Sequence, residues 1–407
     1  ASYGSLGNQN IDNWYQTYST VAYNSVAGAW LQGGKKTNIT AAPGLVSAAL
    51  GWEKVESYDV GLDWGAFNNR LTGSFDYYVR NTKDMVGPAP ELPALLGTAV
   101  PKTNNTDLRT TGWELQIGWR DHLENGLNYG VTFNVSDAQA KVTRYPNNPT
   151  GSLSSYIENR KVGEIWGYET IGIAKTNDEM NQHLATLPNG GQSQLGDKWA
   201  AGDIMYKDLD GDGKISNGSN TLADHGDLKV IGNKTPRYLF GLDLTASWKG
   251  FDFRAFMQGV MKRDYSDARE FLFGATDSGV WWAAGITGVQ DYFRDSETWS
   301  VKNGYESENL NAYLPRPQYS GKNIHPQTRY LLNAAYLRMK NLQIGYTLPQ
   351  SLVSKAGLGN VRFFVSAENL FTITDLPSQF DPETIDTDYG NGYPLSRTFS
   401  FGVNVTL

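Results

Sequence analysis

An acidic stretch that begins at Asp208 combines residue types and a spacing that suit the binding of a divalent cation. Asp208, Asp210 and Asp212 stand at positions 1, 3 and 5 of a calcium loop of the EF-hand type, where carboxylates converge on a hard cation. Gly213 at position 6 allows the sharp turn, and Lys214 fills position 7. The spacing therefore predicts a site for Ca²⁺ or another divalent cation in this loop.

The second part of the loop departs from the EF-hand pattern. Position 12, which should hold a bidentate glutamate, is Ser219, so Asp224 or Asp227 would have to supply the last carboxylate after a longer excursion of the chain. The alternative is an acidic turn that faces solvent and binds no metal. If a cation does bind, we expect it to make the loop rigid.

No other residue pattern predicts catalysis, so we expect a protein that is not an enzyme. The sequence has no cysteine, which excludes disulfides and thiolate metal sites, and it has no phosphate-binding glycine loop. Its four histidines, His122, His183, His225 and His325, show neither metal-ligand spacing nor a triad pattern. The 35 basic and 42 acidic residues give a net charge of −7, which argues against nucleic acid as a partner.

Aromatic residues in the long polar stretches are the candidates for contact with a bound substrate. Their rings could stack on sugars or pack against peptides, whereas the alternative is packing against other loops or against a covering protein. The predicted substrate-binding residues are Trp166, Tyr168, Trp281, Trp282 and Tyr292, and Trp299 has the same character.

The elements that must position these residues are β-strands. Between Arg397 and Leu407 every second residue is apolar, and the residues between them are polar or small. This period of two is typical of strands with one apolar face, and it recurs along the chain. It predicts nine strands, at about 58–64, 71–79, 113–119, 127–135, 238–248, 251–261, 336–347, 361–374 and 397–407. The first seven residues also have the character of a strand interior.

Three local details are predicted as well. Lys249-Gly250, between two alternating runs, indicates a two-residue β-hairpin turn. The phase of the apolar residues changes within 336–347, which predicts a β-bulge near Lys340 or Asn341. Helical periodicity is nearly absent, apart from one turn expected between Gln350 and Ala356.

Strand length and loop order favour a membrane β-barrel. Most of the predicted strands exceed the roughly 5–6 residues of a typical strand and approach the roughly 9–11 of a transmembrane strand. Short and long connections alternate, as periplasmic turns and extracellular loops do in outer-membrane barrels. The connections are 67–70, 84–111, 121–126, 142–236, 249–250, 262–335, 348–360 and 375–396. A large secreted all-β protein is the alternative.

The two faces of each strand would then meet different surroundings. Apolar faces would meet lipid, and polar faces, with charged residues such as Asp243, Asp252, Arg254 and Arg362, would line a hydrated or plugged interior. The mean hydropathy of −0.46 resembles that of a soluble protein because only half of each strand is apolar.

A series of short motifs resembles one known family. The series runs through Trp52-Glu53-Lys54, Thr111-Gly112-Trp113-Glu114-Leu115, Gly202-Asp203-Ile204, Ile231-Gly232-Asn233, Tyr336-Leu337-Arg338-Met339-Lys340-Asn341-Leu342, Ala367-Glu368-Asn369-Leu370-Phe371, Phe380-Asp381-Pro382-Glu383 and Gly392-Tyr393-Pro394. Each motif is weak alone, but in this order the chain from Ala1 to Leu407 resembles the C-terminal barrel half of SusC/RagA-type TonB-dependent outer-membrane transporters of Bacteroidota.

The resemblance implies a fold and a set of partners. The fold would be all-β, the C-terminal portion of one large antiparallel transmembrane β-barrel domain, 22-stranded in the full-length family, with short periplasmic turns and long extracellular loops. Residues 1–407 would all belong to that barrel, and the N-terminal plug and TonB box would lie outside this chain. An N-terminal segment or second chain would complete the barrel, because an open sheet edge is not tolerated in lipid.

The same resemblance implies the function. The protein would import bulky oligosaccharides or peptides across the outer membrane of a Gram-negative bacterium, in contact with outer-membrane lipid. A SusD-like surface lipoprotein would act as a lid, and the TonB complex would act through the absent N-terminal part. The alternatives are a secreted β-rich carbohydrate-binding protein or hydrolase, and a passive porin.

Overall fold

The computed structural model describes most of the chain and contains mainly strands. The described residues are 1–9, 18–19, 21, 23–24, 31–36, 39–40, 43–47, 50–88, 100–266, 270–273, 290–387 and 392–407. Within these residues, no helix is both long enough and apolar enough to cross a membrane.

The strands are β1 Ser2–Asn8, β2 Tyr23–Asn24, β3 Leu31–Gln32, β4 Lys35–Lys36, β5 Ile39–Thr40, β6 Glu53–Ala66, β7 Leu71–Pro88, β8 Lys102–His122, β9 Asn128–Arg144, β10 Glu164–Tyr168, β11 Thr170–Ile173, β12 Ile204–Tyr206, β13 Leu228–Asn233, β14 Arg237–Trp248, β15 Phe251–Lys262, β16 Asp264–Tyr265, β17 Leu332–Asn333, β18 Tyr336–Thr347, β19 Asn360–Glu368, β20 Thr372–Thr374 and β21 Thr398–Thr406. The helices are α1 Asn177–Ala185, α2 Glu270–Phe273, α3 Trp299–Lys302 and α4 Gln350–Val353, with 3-10 turns at Gly321–Asn323, Thr328–Tyr330 and Ser354–Ala356.

One sheet of eleven strands dominates the fold. Its order is β1-β6-β7-β8-β9-β14-β15-β18-β19-β21, and β20 pairs with β18 beyond the end of β19. The recorded registers within it are antiparallel, as between β14 and β15, where Leu244 lies opposite Ala255. The long strands follow each other in the sheet in chain order, and they pair antiparallel. The predicted antiparallel all-β fold is therefore confirmed.

Eight of the nine predicted strands are present as single strands, and several are longer than predicted. The strand predicted at 361–374 is wrong in its extent, because β19 ends at Glu368 and Thr372–Thr374 form the separate strand β20. The expected loop 84–111 is wrong in its bounds, because β7 continues to Pro88 and β8 begins at Lys102. Polar side chains hold these extensions: the Asn104 amide donates to the Asp84 carbonyl at 2.7 Å, and Arg144 pairs with Asp84 at 2.9 Å and Asp107 at 3.0 Å. The extensions lack regular apolar alternation, so the period of two did not reveal them.

The local predictions on the turn, the bulge and the short helix are confirmed. Lys249 and Gly250 have φ angles of 48° and 88° and connect the paired residues Trp248 and Phe251. Between β15 and β18 the register shifts so that Lys340 has no partner residue on β15, which places the bulge there. The expected helical turn is α4.

Contacts divide the chain into two compact units. One unit consists of Ala1–Gly61, Tyr77–Gly112 and Gln139–Val162, and in it β1 pairs with the first part of β6. The other consists of Leu62–Asp76, Trp113–Ala138 and Gly163–Leu407. The second unit contains the acidic loop and most of the sheet. The prediction that residues 1–407 form part of one barrel domain stays a prediction.

The long connections of the second unit are folded. Strands β10 and β13 pair with each other, as do β11 and β12, and α1 packs beside them. Small buried clusters lie here, one of Ala174, Met180 and Met205 and another of Ala201, Phe293 and Ala312. These connections therefore hold the acidic loop on an ordered support.

Candidate functional site

The acidic loop after β12 is built by hydrogen bonds from its own backbone. Asp208 accepts bonds from the N–H groups of Gly211 at 2.7 Å and Gly213 at 3.0 Å, and Asp210 accepts one from Asp212 at 3.0 Å. Gly211 and Gly213 have φ angles of 78° and 80°, a conformation that glycine adopts without strain. The predicted sharp turn is therefore present.

Asp227 completes a group of three carboxylates. Asp208, Asp210 and Asp227 each place one carboxylate oxygen within 4.8 Å of the others. Asp227 is fully buried, and it accepts bonds from the N–H groups of Leu209 at 2.6 Å and Ser216 at 2.7 Å. The group offers the hard oxygen ligands that Ca²⁺ prefers.

Burial and charge both act on Asp227. Burial raises the pKa of its carboxyl above the ordinary value of 3.8, and the nearby Asp210 and Asp208 carboxylates raise it further. Two backbone donors oppose the rise without cancelling it. Because a bound cation would compensate the concentrated negative charge, cation binding is expected to lower this pKa.

The other predicted ligands have different partners. Asp212 and Lys214 pair with each other, with 3.2 Å between the carboxylate and the Nζ atom. Asp224 accepts bonds from the backbone N–H of Ser219 at 3.0 Å and from its hydroxyl at 2.5 Å. The structure thus brings together three of the five predicted carboxylates, whereas those of Asp212 and Asp224 have other partners. Lys214, at position 7, would contribute its backbone carbonyl, which its side-chain pair does not involve.

The predicted substrate-binding residues that the structure describes, Trp166, Tyr168 and Tyr292, each contact other side chains. Trp166 lies 5.5 Å from the His225 ring, and Tyr168 is buried beside Tyr206. Tyr292 donates a hydrogen bond to Glu306 at 2.7 Å. Trp281 and Trp282 lie outside the described residues. Burial raises the pKa of Tyr168 to about 12, which reflects how little of its hydroxyl meets water.

A buried ionic centre at Asp203 was not predicted as a functional feature. Asp203 accepts hydrogen bonds from Arg316 at 2.8 and 2.9 Å, from Gln318 at 2.9 Å and from Asn323 at 3.0 Å. Lys322, of which 2% is exposed, places its ammonium 2.8 Å from the same carboxylate. Asp203 therefore ties the connection before β14 to the connection before β18.

The charges around Asp203 determine its protonation. Burial alone would raise the pKa of Asp203, but the hydrogen bonds from Arg316, Lys322 and Asn323 outweigh burial and hold the pKa below its ordinary value. The sequence offered a signal for this centre in the Gly202-Asp203-Ile204 motif, since an acidic residue directly before a buried strand needs partners.

The two faces of the main sheet differ as predicted. On the polar face, Arg254 pairs with Asp243 at 2.7 Å and Arg362 pairs with Asp252 at 2.6 Å. On the apolar face, large side chains of β21 are exposed, and Phe401, for example, is 80% exposed. An apolar face of this size needs a covering of lipid or protein.

Comparison with curated proteins finds relatives of one kind. The TonB-dependent receptor P3 of Formosa agariphila is 30% identical over 432 residues, and the match covers the whole chain but 39% of that receptor. The TonB-dependent receptor SusC of Bacteroides thetaiotaomicron is 23% identical, with 90% of this chain and 33% of SusC covered. No family model matches the sequence. The chain spans about two fifths of the length of the first of these relatives.

Comparison with solved structures supports the fold. The RagAB peptide transporter matches with a TM-score of 0.69 and 23% identity, over all of this chain and 40% of that one. The 'closed-closed' state of the RagAB peptide importer matches with a TM-score of 0.67. At this identity the likeness establishes the fold. Taken with the sequence relatives, it shows that the chain is a homologue of TonB-dependent receptors, SusC among them, and corresponds to their C-terminal β-barrel part.

Proposed function

We propose that this chain is the C-terminal barrel part of an outer-membrane importer that takes up bulky oligosaccharides or peptides. The observation that carries the proposal is the exposed apolar face of a sheet homologous to TonB-dependent receptors, with paired charges on its opposite face. A sheet of this kind fits lipid on one side and a hydrated passage on the other. The location is then the outer membrane of a Gram-negative bacterium.

The proposed partners follow from the relatives, of whose length this chain covers about two fifths. An N-terminal barrel and plug segment, or a separate chain, would pair with β1 and β21, the outermost strands of the sheet among the described residues, because lipid does not tolerate an open edge. TonB would act through that part. A SusD-like lipoprotein would cover the extracellular side. The peptide cargo of the RagAB transporter makes peptides one of the two candidate cargo classes.

Purification of the full-length protein from native membranes tests this function. We expect extraction to require detergent, and we expect a surface lipoprotein to copurify. Uptake of the cargo should cease when TonB is deleted, since the energy for import comes through the plug. A protein soluble without detergent would instead support a secreted carbohydrate-binding protein or hydrolase, and uptake that persists without TonB would support a passive porin.

For the acidic loop, we propose that Asp208, Asp210 and Asp227 bind Ca²⁺ and that the cation makes the loop rigid. The support is the convergence of the three carboxylates on one point and the burial of Asp227 among them. No catalytic role follows, because the relatives are receptors and transporters. The ligand set is incomplete for the 6–8 oxygens that Ca²⁺ takes, so backbone carbonyls and water would supply the rest.

Calorimetric titration with Ca²⁺ tests this site. We expect Asp210→Asn to weaken binding by about tenfold or more, because it removes one charged ligand of three. Asp212→Asn is the matched control: it changes the same loop, but its carboxylate pairs with Lys214 and lies outside the group. Equal binding heats for the wild-type protein and Asp210→Asn would contradict the proposal.

A further inference from the structure

The connection after β20 does not simply extend away from the sheet. Residues 376–386, which we call the strap, bury apolar side chains: Leu376, Phe380 and Ile385 are 6%, 5% and 1% exposed. An extended extracellular loop would leave such residues in water. The strap is therefore packed against the protein along most of its length.

The contacts of this connection show its direction. Asp375 accepts a hydrogen bond from Asn333 at 2.7 Å, Asp381 from Arg338 at 2.8 Å and Glu383 from Lys340 at 3.0 Å. The partners advance along β17 and β18 as the strap advances. Because β20 runs antiparallel to β18, the chain reverses after β20 and runs back along the sheet as far as Lys340. Pro382 and Asp386 then contact Arg263, which is hydrogen-bonded to Ala334, so the strap stays over the end of β15 and β18 that carries the long connections.

The face that the strap covers is the polar one. Arg338 lies opposite Gln258 on β15. Gln258 is four residues from Arg254, which pairs with Asp243 on the polar face. These residues lie on one face because side chains alternate along a strand. In the proposed importer, which this inference presupposes, that face lines the passage.

Acid–base pairs fasten the strap at several points. Arg338 and Asp381 are both nearly inaccessible, with side chains 4% and 7% exposed. Lys340 pairs with Glu383, and Arg263, itself 7% exposed, pairs with Asp386 and donates to the Pro382 carbonyl at 3.5 Å. Arg338 and Asp381 form the buried pair among these, and loss of either partner would leave the other charge uncompensated. Asp386 is 65% exposed, so its pair with Arg263 contributes less.

From this geometry we propose that the strap lies inside the barrel, is held there by Arg338, Lys340 and Arg263, and limits the size of what passes. It is a specificity-determining element carried by the barrel wall itself, separate from the plug and from any lid. Its release would widen the passage on the side of β15 and β18.

Cysteine labelling of the full-length protein in whole cells tests the position of the strap. Residues 1–407 contain no cysteine, so once any cysteine elsewhere in the full-length protein is replaced with serine, a single Ile385→Cys reports on the strap alone. We expect slow reaction with a membrane-impermeant maleimide, and reaction about tenfold or more faster when Arg338→Gln is added, because opening exposes the residue. Leu376→Cys repeats the test at a second buried position.

A matched control separates release of the strap from general loosening. Arg254→Gln removes another arginine of the same face, but its partner Asp243 belongs to the neighbouring strand and not to the strap. It should leave the labelling rate unchanged. Tyr319→Cys, at a side chain that is 90% exposed, should react fast in every background. Labelling of Ile385→Cys at the same rate with and without Arg338→Gln would overturn the proposal.

Import of labelled peptides or oligosaccharides of increasing length tests the limit on size, because import, unlike passive entry, also opens the plug. Cells with Arg338→Gln should import longer cargo than wild-type cells, and cells with Arg254→Gln should not. An unchanged length limit with increased labelling would overturn the size-limiting role. Absence of the wild-type protein from the outer-membrane fraction would instead contradict the proposed function, so the two failures are distinguishable.

Discussion

Replacing Asp203 with alanine is expected to destabilise the folded connections before β14 and β18 by about 3–5 kcal/mol, the usual cost of removing one partner from a buried ion pair. The carboxylate is fully buried and accepts bonds from Arg316, Gln318 and Asn323. Without it, the ammonium of Lys322 would stay buried beside Trp199 with only backbone carbonyls as acceptors. Hydrogen exchange of residues 197–206 and 316–323 in the full-length protein would measure the loss.

Two further variants make this prediction specific. Asp203→Ala combined with Lys322→Met should be less destabilised than Asp203→Ala alone, because the second change removes the uncompensated charge. Asp243→Ala breaks a pair whose arginine, Arg254, is 59% exposed, so it should cost about 1 kcal/mol or less. A loss for Asp203→Ala no larger than that for Asp243→Ala would contradict the central role of Asp203.

Acid should act on the same centre. The pKa of Asp203 in the folded protein lies below the ordinary value of 3.8, so its ionised form is favoured by folding. Its contribution to stability is therefore complete above that ordinary value and is lost as the pH falls through the lower pKa of the folded state. Near neutral pH, Asp203→Ala and the wild-type protein should keep a constant difference.

The main sheet could be predicted because each strand carries its own signal. One face of β21 is uniformly apolar, and the other is polar or small. The turn at Lys249-Gly250 and the bulge at Lys340 were each visible in the sequence at one or two positions. The end of β7 and the start of β8 could not be predicted. Polar contacts such as that of Asn104 with Asp84 stabilise them, and polar contacts leave no periodic pattern in the sequence.

In the candidate site, residue spacing predicts the neighbouring ligands but not the distant one. The EF-hand spacing identified Asp208 and Asp210, which lie two residues apart and meet through a local turn. Asp227 could be named only as one of two choices, because the excursion after Ser219 has no fixed geometry. The pairing of Asp203 with Lys322 spans more than a hundred residues and depends on how two connections pack, which no local pattern encodes.

Replacing Leu244 with lysine is expected to cost about 2–4 kcal/mol in the assembled barrel, as charged residues do on the lipid face near mid-membrane. Leu244 lies in the middle of β14, opposite Val131 on one side and Ala255 on the other, and the three residues share the apolar face. The lysine would place its ammonium in hydrocarbon or bend it towards the interface. Denaturant titration of the full-length protein in lipid vesicles would measure the loss in the free energy of unfolding.

The neighbouring face supplies the control for this last substitution. Thr132 lies one residue from Val131 on β9 and opposite Asp243, so its side chain points to the polar face at nearly the same depth. Thr132→Lys should cost little, because the new ammonium meets water and the Asp243 carboxylate. A one-residue step reverses the face of a strand, so the two variants differ in surroundings and hardly in position. Equal losses for both would mean that the apolar face does not meet lipid, and they would favour a soluble all-β protein.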